Sequence, residues 1–166
     1  MFPEIRRFKQ QLSVERSKEV LSSNTAGVLS VLRDDGYPYG VPLSYAYDNG
    51  KIYLHCGPSG HKIDAIKSCD KVSFCVIDED TVVEKEYTTY FRSVIAFGRI
   101  HIASSPEEIK KGLTVLTRKY SASLQEEEIL AHIDSGINHT TVLVIEIQHL
   151  TGKEAIEFVN AKKENS

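Results

Sequence analysis

The sequence predicts a mainly β fold with flanking helices, in which six antiparallel strands form one closed or nearly closed barrel. A D-D-G run at residues 34–36 and a D-N-G run at residues 48–50 separate three strand-like segments. Asn-Gly and Asp-Gly pairs tolerate the positive φ angles of tight hairpin turns, so these segments form a meander. A later segment, residues 90–104, is apolar on both faces over half its length, which is typical of a barrel strand covered by helices or by a dimer partner.

The remaining elements follow from the spacing of apolar residues. Strands are predicted at residues 26–32, 37–47, 51–56, 71–77, 90–104 and 140–150, and a charged connection at residues 79–89. Helices are predicted at residues 13–23 and 61–69, and two more lie before the last strand. Ser105, Pro106 and Glu108 form a capping box that starts the first of these two, and Ser123 with Glu126 repeats the pattern for the second.

Length, charge and cysteine content limit the function classes. The 166 residues fit a single domain, with an N-terminal arm at about residues 1–12 and a polar tail at about residues 154–166. The net charge of −3 argues against a nucleic-acid partner, since such proteins usually carry a basic excess. No apolar run approaches the ~18–20 residues that span a bilayer, so no membrane partner is expected. Three cysteines outside any C-x-x-C pattern indicate reduced thiols in a cytoplasmic protein.

The predicted strand at residues 37–47 has one face of small residues or prolines. These are Pro38, Gly40, Pro42, Ser44 and Ala46. Because successive side chains point to opposite faces, this face lets another backbone or a flat ligand approach closely. A tight barrel corner explains the same residues equally well. Pro42 lacks a backbone donor, so we expect a sheet edge or a bulge there.

The segment YLHCGPSGHK, residues 53–62, has three interpretations: a metal site, a phosphate site or an ordinary loop. His55 and Cys56 are adjacent in a strand and point to opposite faces, so we predict no metal site. The start of a helix presents unpaired N–H groups, and small residues such as Gly60 let an anion approach them. Lys62 adds a full positive charge. The segment therefore fits an anion site, and a solvated lysine after a common turn is the alternative.

Four motifs occur in the order found in a known family. They are G-Y-P-x-x-V-P-L-x-[YF] at residues 36–45, H-x-A-x-x-G-x-K at residues 55–62 with glycine in place of the alanine, S-V-x-x-x-G-[RK] within residues 92–100, and x-x-T-G-K at residues 149–153. The chain thereby resembles the FMN-binding split-barrel superfamily of pyridoxamine 5'-phosphate oxidase-related proteins. It is most similar to the nitroimidazole-reductase (Nim) branch.

The resemblance implies a six-stranded antiparallel split β-barrel and a homodimer with FMN at the subunit interface. Lys62 and the turn before it would hold the flavin phosphate, and the ring would lie against the backbone of residues 42–45. The cofactor-binding residues that the resemblance implies are Pro42, Leu43, Ser44, Tyr45, His55, Cys56, Gly60, Lys62, Ser93 and Val94.

The function that the resemblance implies is an FMN-dependent oxidoreductase that reduces a small flat acceptor such as a nitroaromatic. His55 matches a histidine beside the flavin and is the catalytic candidate, while an imidazole that only caps a strand end is the alternative. The extra arginines of the oxidase have no match, with Arg99 and Lys153 the remaining basic candidates, so pyridoxamine phosphate oxidation is not expected. The competing hypothesis is a flavin- or haem-binding carrier or sensor, with His55, His101 or His149 as the axial ligand.

Overall fold

Seven strands form one antiparallel sheet within the residues that the computed structural model describes, namely residue 2, residues 4–136 and residues 140–164. The strands are β1 (Ala26–Leu32), β2 (Pro38–Ser44), β3 (Ala46–Asp48), β4 (Lys51–Cys56), β5 (Lys71–Val83), β6 (Thr88–Ile102) and β7 (Thr141–Glu154). The helices are α1 (Val14–Ser23), α2 (His61–Ser68), α3 (Pro106–Tyr120), α4 (Glu126–Gly136) and α5 (Ile156–Glu164). The strand order is β2-β1-β5-β6-β7-β4-β3. The prediction of a mainly β, antiparallel split barrel with flanking helices is confirmed.

The barrel is split where the two edge strands of the sheet, β2 and β3, meet. The chain passes from one edge to the other through Tyr45. Tyr45 and Ala46 are both buried, so the alternation of inward and outward side chains breaks there. One predicted strand thus becomes two, and the predicted count of six strands is wrong. The sheet edge expected at Pro42 is confirmed, because Pro42 lies on the edge strand β2.

The side chain of Tyr45 fixes this corner from inside the barrel. Its hydroxyl donates a hydrogen bond to the carbonyl oxygen of Leu21 at 2.8 Å, and its ring meets Phe74 edge to face at 4.9 Å between centroids. Burial, and next the nearby Tyr120, raise the pKa of the Tyr45 phenol, so it remains a protonated donor. The corner is therefore set by core contacts rather than by a local turn signal.

The hairpin of β5 and β6 is longer than predicted. Its strands pair from Lys71 opposite Arg99 to Val83 opposite Thr88. Residues 79–83 therefore belong to a strand, and the predicted charged connection at residues 79–89 is wrong over most of its length. Polar residues gave no alternating pattern there, but backbone groups form ladder hydrogen bonds whatever the side chains are.

The two helices before the last strand begin by different means. Ser105 caps α3 as predicted, accepting a hydrogen bond from the Glu108 N–H at 3.1 Å. In α4 the first helical carbonyl is that of Gln125, which accepts from the Ile129 N–H at 3.1 Å. Ser123 therefore does not cap α4, and that prediction is wrong.

The described parts of both terminal segments contact the barrel. Within the segment predicted as a polar tail, residues 154–166, Glu154 ends β7 and residues 156–164 form α5. At the other end, the predicted arm contains a 3-10 turn at Phe8–Gln10 and the buried residue Leu12. The Leu12 N–H donates to the carbonyl oxygen of Gly152 at 2.9 Å. The described parts of the arm and of the polar tail are therefore structured and contact the rest of the fold.

Two hydrophobic clusters position the helices. The larger fills the barrel and includes residues of α1 and α2, such as Leu21 and Ile63. The smaller lies between the sheet and α3. Gly112 allows this approach, because a Cβ atom there would lie only 2.6 Å from Cγ1 of Val142. As a result α3 packs closely against β4 and β7, next to the split of the barrel.

A network of charged side chains surrounds Arg92, which lies in the first third of β6. The Arg92 guanidinium donates to Asp78 at 2.8 Å and to Glu154 at 3.3 Å. Glu154 also pairs with Lys162 of α5, and Asp78 accepts a hydrogen bond from Asn24 at 2.7 Å. The Glu154 side chain is only 4% exposed. The network therefore connects β5, β6 and β7 with the end of α1 and with α5.

We expect the stabilising effect of Asp78 to be lost in acid. Burial alone would raise the pKa of Asp78, but hydrogen bonds from Arg92 and Asn24 outweigh burial and lower it below its ordinary 3.8. A lowered folded-state pKa stabilises above the unfolded-state value, and this contribution disappears as the pH falls through the folded-state value. In urea unfolding, Asp78→Asn should therefore differ most from the wild type near about pH 6 and least near about pH 3. A difference that stays constant over this range would contradict the prediction.

Candidate functional site

The split of the barrel brings together the end of β2, the end of β4 and the start of α2. Ala46 pairs with Tyr53 between β3 and β4, so the chain on either side carries Ser44 and His55 toward each other. Both side chains are exposed and line the same cavity. The two segments that the sequence marked separately, the small-residue strand and the YLHCGPSGHK segment, therefore form one corner.

The turn between β4 and α2 is open. Gly60 has a φ of +122°, a conformation that residues with a Cβ atom rarely adopt, and it is the residue that precedes α2. No described atom lies within 4 Å of where a Cβ atom would be at Gly57 or at Gly60. The turn thus leaves the backbone at the helix start accessible to a ligand.

Lys62 lies near Cys56 across this turn. Burial raises the pKa of the Cys56 thiol, and the positive charge of Lys62 opposes that effect without reversing it. The thiol is therefore protonated near neutral pH, which makes it a poor nucleophile. Lys62 is half-buried in the first turn of α2, so its positive charge belongs to the helix start that follows the open turn.

A cavity of about 500 Å³ adjoins the corner beneath α3 and α4. Ser44 and His55 line it from the sheet side. The other lining residues are Leu113, Leu116, Thr117, Tyr120, Ser121, Leu124, Ile129, His132, Ile133, Gly136 and Thr140. The walls are mainly apolar, and the polar groups are hydroxyls and imidazoles. Such a space can hold a small, mostly apolar molecule.

Tyr120 is a site residue that the sequence did not reveal. Its hydroxyl accepts a hydrogen bond from the Tyr45 N–H at 3.0 Å and lies 2.8 Å and 2.7 Å from the carbonyl oxygens of Tyr45 and Thr25. The backbone of Tyr45 is therefore already bonded, and its side chain is in the core. Tyr120 continues the apolar spacing of α3, and nothing in that spacing signals that its hydroxyl reaches a strand break.

Ser93 and Val94 lie apart from this corner in one chain. Val94 is in the core, whereas Ser93 is half-buried and pairs with Ile77 and Lys153. Two strands separate β6 from β2, which corresponds to about 14 Å along the sheet. Arg99, one of the basic candidates, is also engaged elsewhere, because it pairs with Asp70 at 2.8 Å on the surface. The chain alone thus brings together only part of the predicted cofactor-binding set.

The outer face of the sheet between the corner and Ser93 carries uncharged side chains, most of them small or apolar. One row across the strands consists of Pro42, Val28, Cys75, Ile95 and Thr151. The next consists of Gly40, Ser30, Ser73, Phe97 and His149. Beside them Ile77 is 62% exposed. We call these two rows and Ile77 the outer face.

The histidines proposed as axial ligands differ in their surroundings. His101 is paired with Glu108 at 2.8 Å, and His149 is stacked against Phe2 at 4.6 Å between ring centroids. His55 is exposed at the cavity. Among the described residues, no group of three or more His, Cys, Asp or Glu side chains could hold a metal ion. Of the helices described, none has both the length and the apolar character needed to cross a bilayer.

Residues 13–154 match the family model described as pyridoxamine 5'-phosphate oxidase. This covers most of the chain and confirms the resemblance inferred from the motifs. An uncharacterized protein of Rhizobium meliloti is 32% identical over 92 residues, which are 55% of this chain and 56% of that protein. The chain therefore spans little more than half the length of this curated relative.

Solved structures with the same fold include two whose names mention ligands or resistance. The "putative 5-nitroimidazole antibiotic resistance protein" of Bacteroides thetaiotaomicron gives a TM-score of 0.74 at 22% identity, covering 87% of this chain and 86% of that one. The "FAD and Heme binding protein" of Mycobacterium smegmatis gives a TM-score of 0.69 at 19% identity, covering 89% and 73%. At these identities the likeness shows a common fold.

Proposed function

The chain belongs to the pyridoxamine 5'-phosphate oxidase family, and on this basis we propose that it is a homodimeric, FMN-dependent oxidoreductase that reduces a small flat acceptor such as a nitroaromatic. The observation that carries the proposal is the corner at which Ser44 and His55 line one cavity, next to the open turn that leads into α2 and Lys62. The names of the two solved structures, which mention FAD, haem and nitroimidazole resistance, support a flavin and a ring-shaped acceptor.

The residues of the corner fit the parts of FMN. Lys62 and the first N–H groups of α2 offer positive charge and donors to the phosphate, and the open turn at Gly57 and Gly60 lets it approach the backbone. The outward residues of β2, which include Gly40 and Pro42, leave room for a flat ring against the strand. Tyr45 would contribute through the shape of the corner, because its own polar groups are bonded within the protein.

The proposed division of labour leaves little chemistry to the side chains. A bound flavin supplies hydride and electron transfer, while the protein orients the reactants and controls access. A nitro group that gains two electrons and two protons, with a reduced nicotinamide nucleotide as the proposed electron donor, becomes a nitroso group and water. His55 is the proposed proton donor, since it is exposed where the cavity meets the corner.

A second copy of the chain is part of the proposal. The outer face would be the dimer interface, because its rows are small, largely apolar and partly exposed. Packing two such faces together would carry Ser93 and Lys153 of one copy toward the corner of the other, so that the predicted site residues meet. We also propose a cytoplasmic location, where the free cysteines Cys56, Cys69 and Cys75 would stay reduced.

The absorption spectrum of the protein tests the cofactor. Protein purified and incubated with FMN, then passed through a desalting column, should keep the two broad bands of a bound flavin. Consumption of reduced nicotinamide nucleotide in the presence of a nitroimidazole would then establish turnover. A flavin or haem carrier would use the same corner, with His55 as the exposed axial-ligand candidate, and would give a stable spectrum without turnover. Protein that stays colourless would overturn the proposal.

Replacement of Lys62 by alanine should weaken FMN binding. Loss of a charge-assisted contact to the phosphate should cost about 1–3 kcal/mol of binding free energy. The measurement is a titration of apoprotein followed by quenching of FMN fluorescence. Lys67→Ala is the matched control, because Lys67 is an exposed lysine in the last turn of the same helix. Equal affinities for the two variants would place the phosphate elsewhere.

A further inference from the structure

We propose that the cavity beneath α3 and α4 binds the electron acceptor, and that this acceptor is an uncharged ring compound without a phosphate group. The inference rests on the proposed function, because it assumes that the flavin occupies the adjoining corner. It adds a binding site for the acceptor, formed in part by residues of α3 and α4 that the sequence did not mark as site residues.

The size and walls of the cavity suit such a compound. Its volume of about 500 Å³ is within the range of roughly 300–1,000 Å³ that is usual for small-molecule sites. The apolar walls are formed by Leu113, Leu116, Leu124, Ile129 and Ile133. A ring buried among these side chains gains the hydrophobic contribution of its whole apolar surface.

The described lining offers no charged side chain that could pair with an anionic substrate. Among the described residues, no lysine, arginine, aspartate or glutamate lines the cavity. The nearest basic residues of α3 are engaged elsewhere: Arg118 pairs with Glu126, and Lys119 contacts the Asn24 carbonyl and the Tyr45 ring. Burial of a phosphate without a cation carries a large desolvation cost. A phosphorylated vitamer therefore does not suit this cavity.

The polar groups give the acceptor an orientation. Ser44 and His55 come from β2 and β4, the strands that meet at the proposed flavin site. A polar substituent of the ring can bond to these two side chains, which holds that end of the acceptor at the flavin. The hydroxyl of Tyr120 is bonded to the backbone of Tyr45 and Thr25, so it shapes the wall.

The test is a calorimetric titration with two probes, 2-methyl-5-nitroimidazole and pyridoxamine 5'-phosphate, on protein with and without FMN. We expect the nitroimidazole to bind and the phosphate compound not to enter the cavity. Thr117→Phe fills the cavity from α3 and should weaken nitroimidazole binding by about tenfold or more. Thr114→Phe is the control, because Thr114 lies on the same helix outside the cavity lining, with its hydroxyl bonded to the Lys110 carbonyl.

Leu124→Trp is a second filling variant, chosen because Leu124 is 47% exposed and tolerates a larger side chain. Circular dichroism and bound FMN per chain report whether each variant is folded. Nitroimidazole binding that both filling variants leave unchanged would overturn the inference, as would tight binding of pyridoxamine 5'-phosphate that Thr117→Phe abolishes. Failure of the protein to bind FMN would overturn the proposed function instead, and the titration of flavin-free protein would still decide whether the cavity binds the ring.

Discussion

Arg92→Met should lower the free energy of unfolding by about 3 kcal/mol, because it removes one partner from a largely buried charge network. The Arg92 side chain is only 14% exposed, and it contacts both Asp78 and Glu154. Methionine keeps most of the apolar stem, so the loss reports mainly on the charge. Without the guanidinium, the Glu154 carboxylate stays buried and keeps its ion pair with Lys162, and Asp78 keeps its bond from Asn24.

The measurement is urea unfolding near neutral pH, with Arg99→Met as a matched control. Arg99 lies on the same strand and pairs with Asp70, but the two side chains are 51% and 46% exposed. An exposed pair of this kind contributes about 0–1 kcal/mol. Equal losses for the two variants would show that burial does not distinguish these ion pairs.

A double variant distinguishes two causes of the expected loss, namely a buried carboxylate left without its partner and lost packing of the Arg92 side chain. If the cost of Arg92→Met comes from a buried, poorly compensated carboxylate, then adding Glu154→Gln should recover part of it. If the cost comes from lost packing over Phe158, whose ring centroid lies 4.6 Å from the guanidinium carbon, the second substitution should add a further loss.

Local sequence signals were sufficient to predict turns and helix caps whose backbone geometry favours a particular type of residue. Gly36 and Gly50 have φ angles of +84° and +79°, so the two glycine-containing turns predicted from the sequence are real turns. Ser13 and Ser105 cap α1 and α3 through their side-chain oxygens. These devices act within four residues, and they can therefore be recognised without knowing the fold.

Features that depend on distant partners could not be predicted in the same way. The break at Tyr45 depends on the Leu21 carbonyl and on the Tyr120 hydroxyl, which are 24 and 75 residues away in sequence. The period-two pattern continued through this position, so the sequence indicated one strand. Arg92 likewise has partners on two other strands, and its position within a mainly apolar run carried no sign of them.

The candidate site shows the same division. Small residues and Lys62 allowed its strand and its helix start to be predicted from the sequence. No sequence signal predicted the side chains of α3 and α4 that cover the cavity. The side chains of α3 and α4 that line the cavity have the spacing of ordinary core residues, such as Leu116 and Ile133, and both are indeed buried. A cavity depends on how far two elements stand apart, and the sequence pattern of each element does not contain that distance.

Ile95→Glu should convert the proposed dimer to monomers and remove most of the bound FMN. Ile95 lies in the row that joins Pro42, Val28, Cys75 and Thr151, and it is 36% exposed in one chain. In a dimer formed through the outer face this side chain would be buried, so a glutamate would bring an unpaired charge into an apolar interface. We expect the dimer dissociation constant to rise on the order of 100-fold or more.

Light scattering after size-exclusion chromatography measures the mass, and the flavin absorbance of the same peak measures bound FMN. Val82→Glu is the control, because Val82 is 69% exposed on β5 but lies near the tip of the hairpin, outside the outer face. If the site needs Ser93 and Lys153 of a second copy, then mass and FMN content should fall together in Ile95→Glu and remain in Val82→Glu. A monomeric Ile95→Glu protein that binds FMN as tightly as the wild type would instead confine the flavin to the corner of a single chain. An Ile95→Glu protein that remains dimeric would show that the interface lies on another surface.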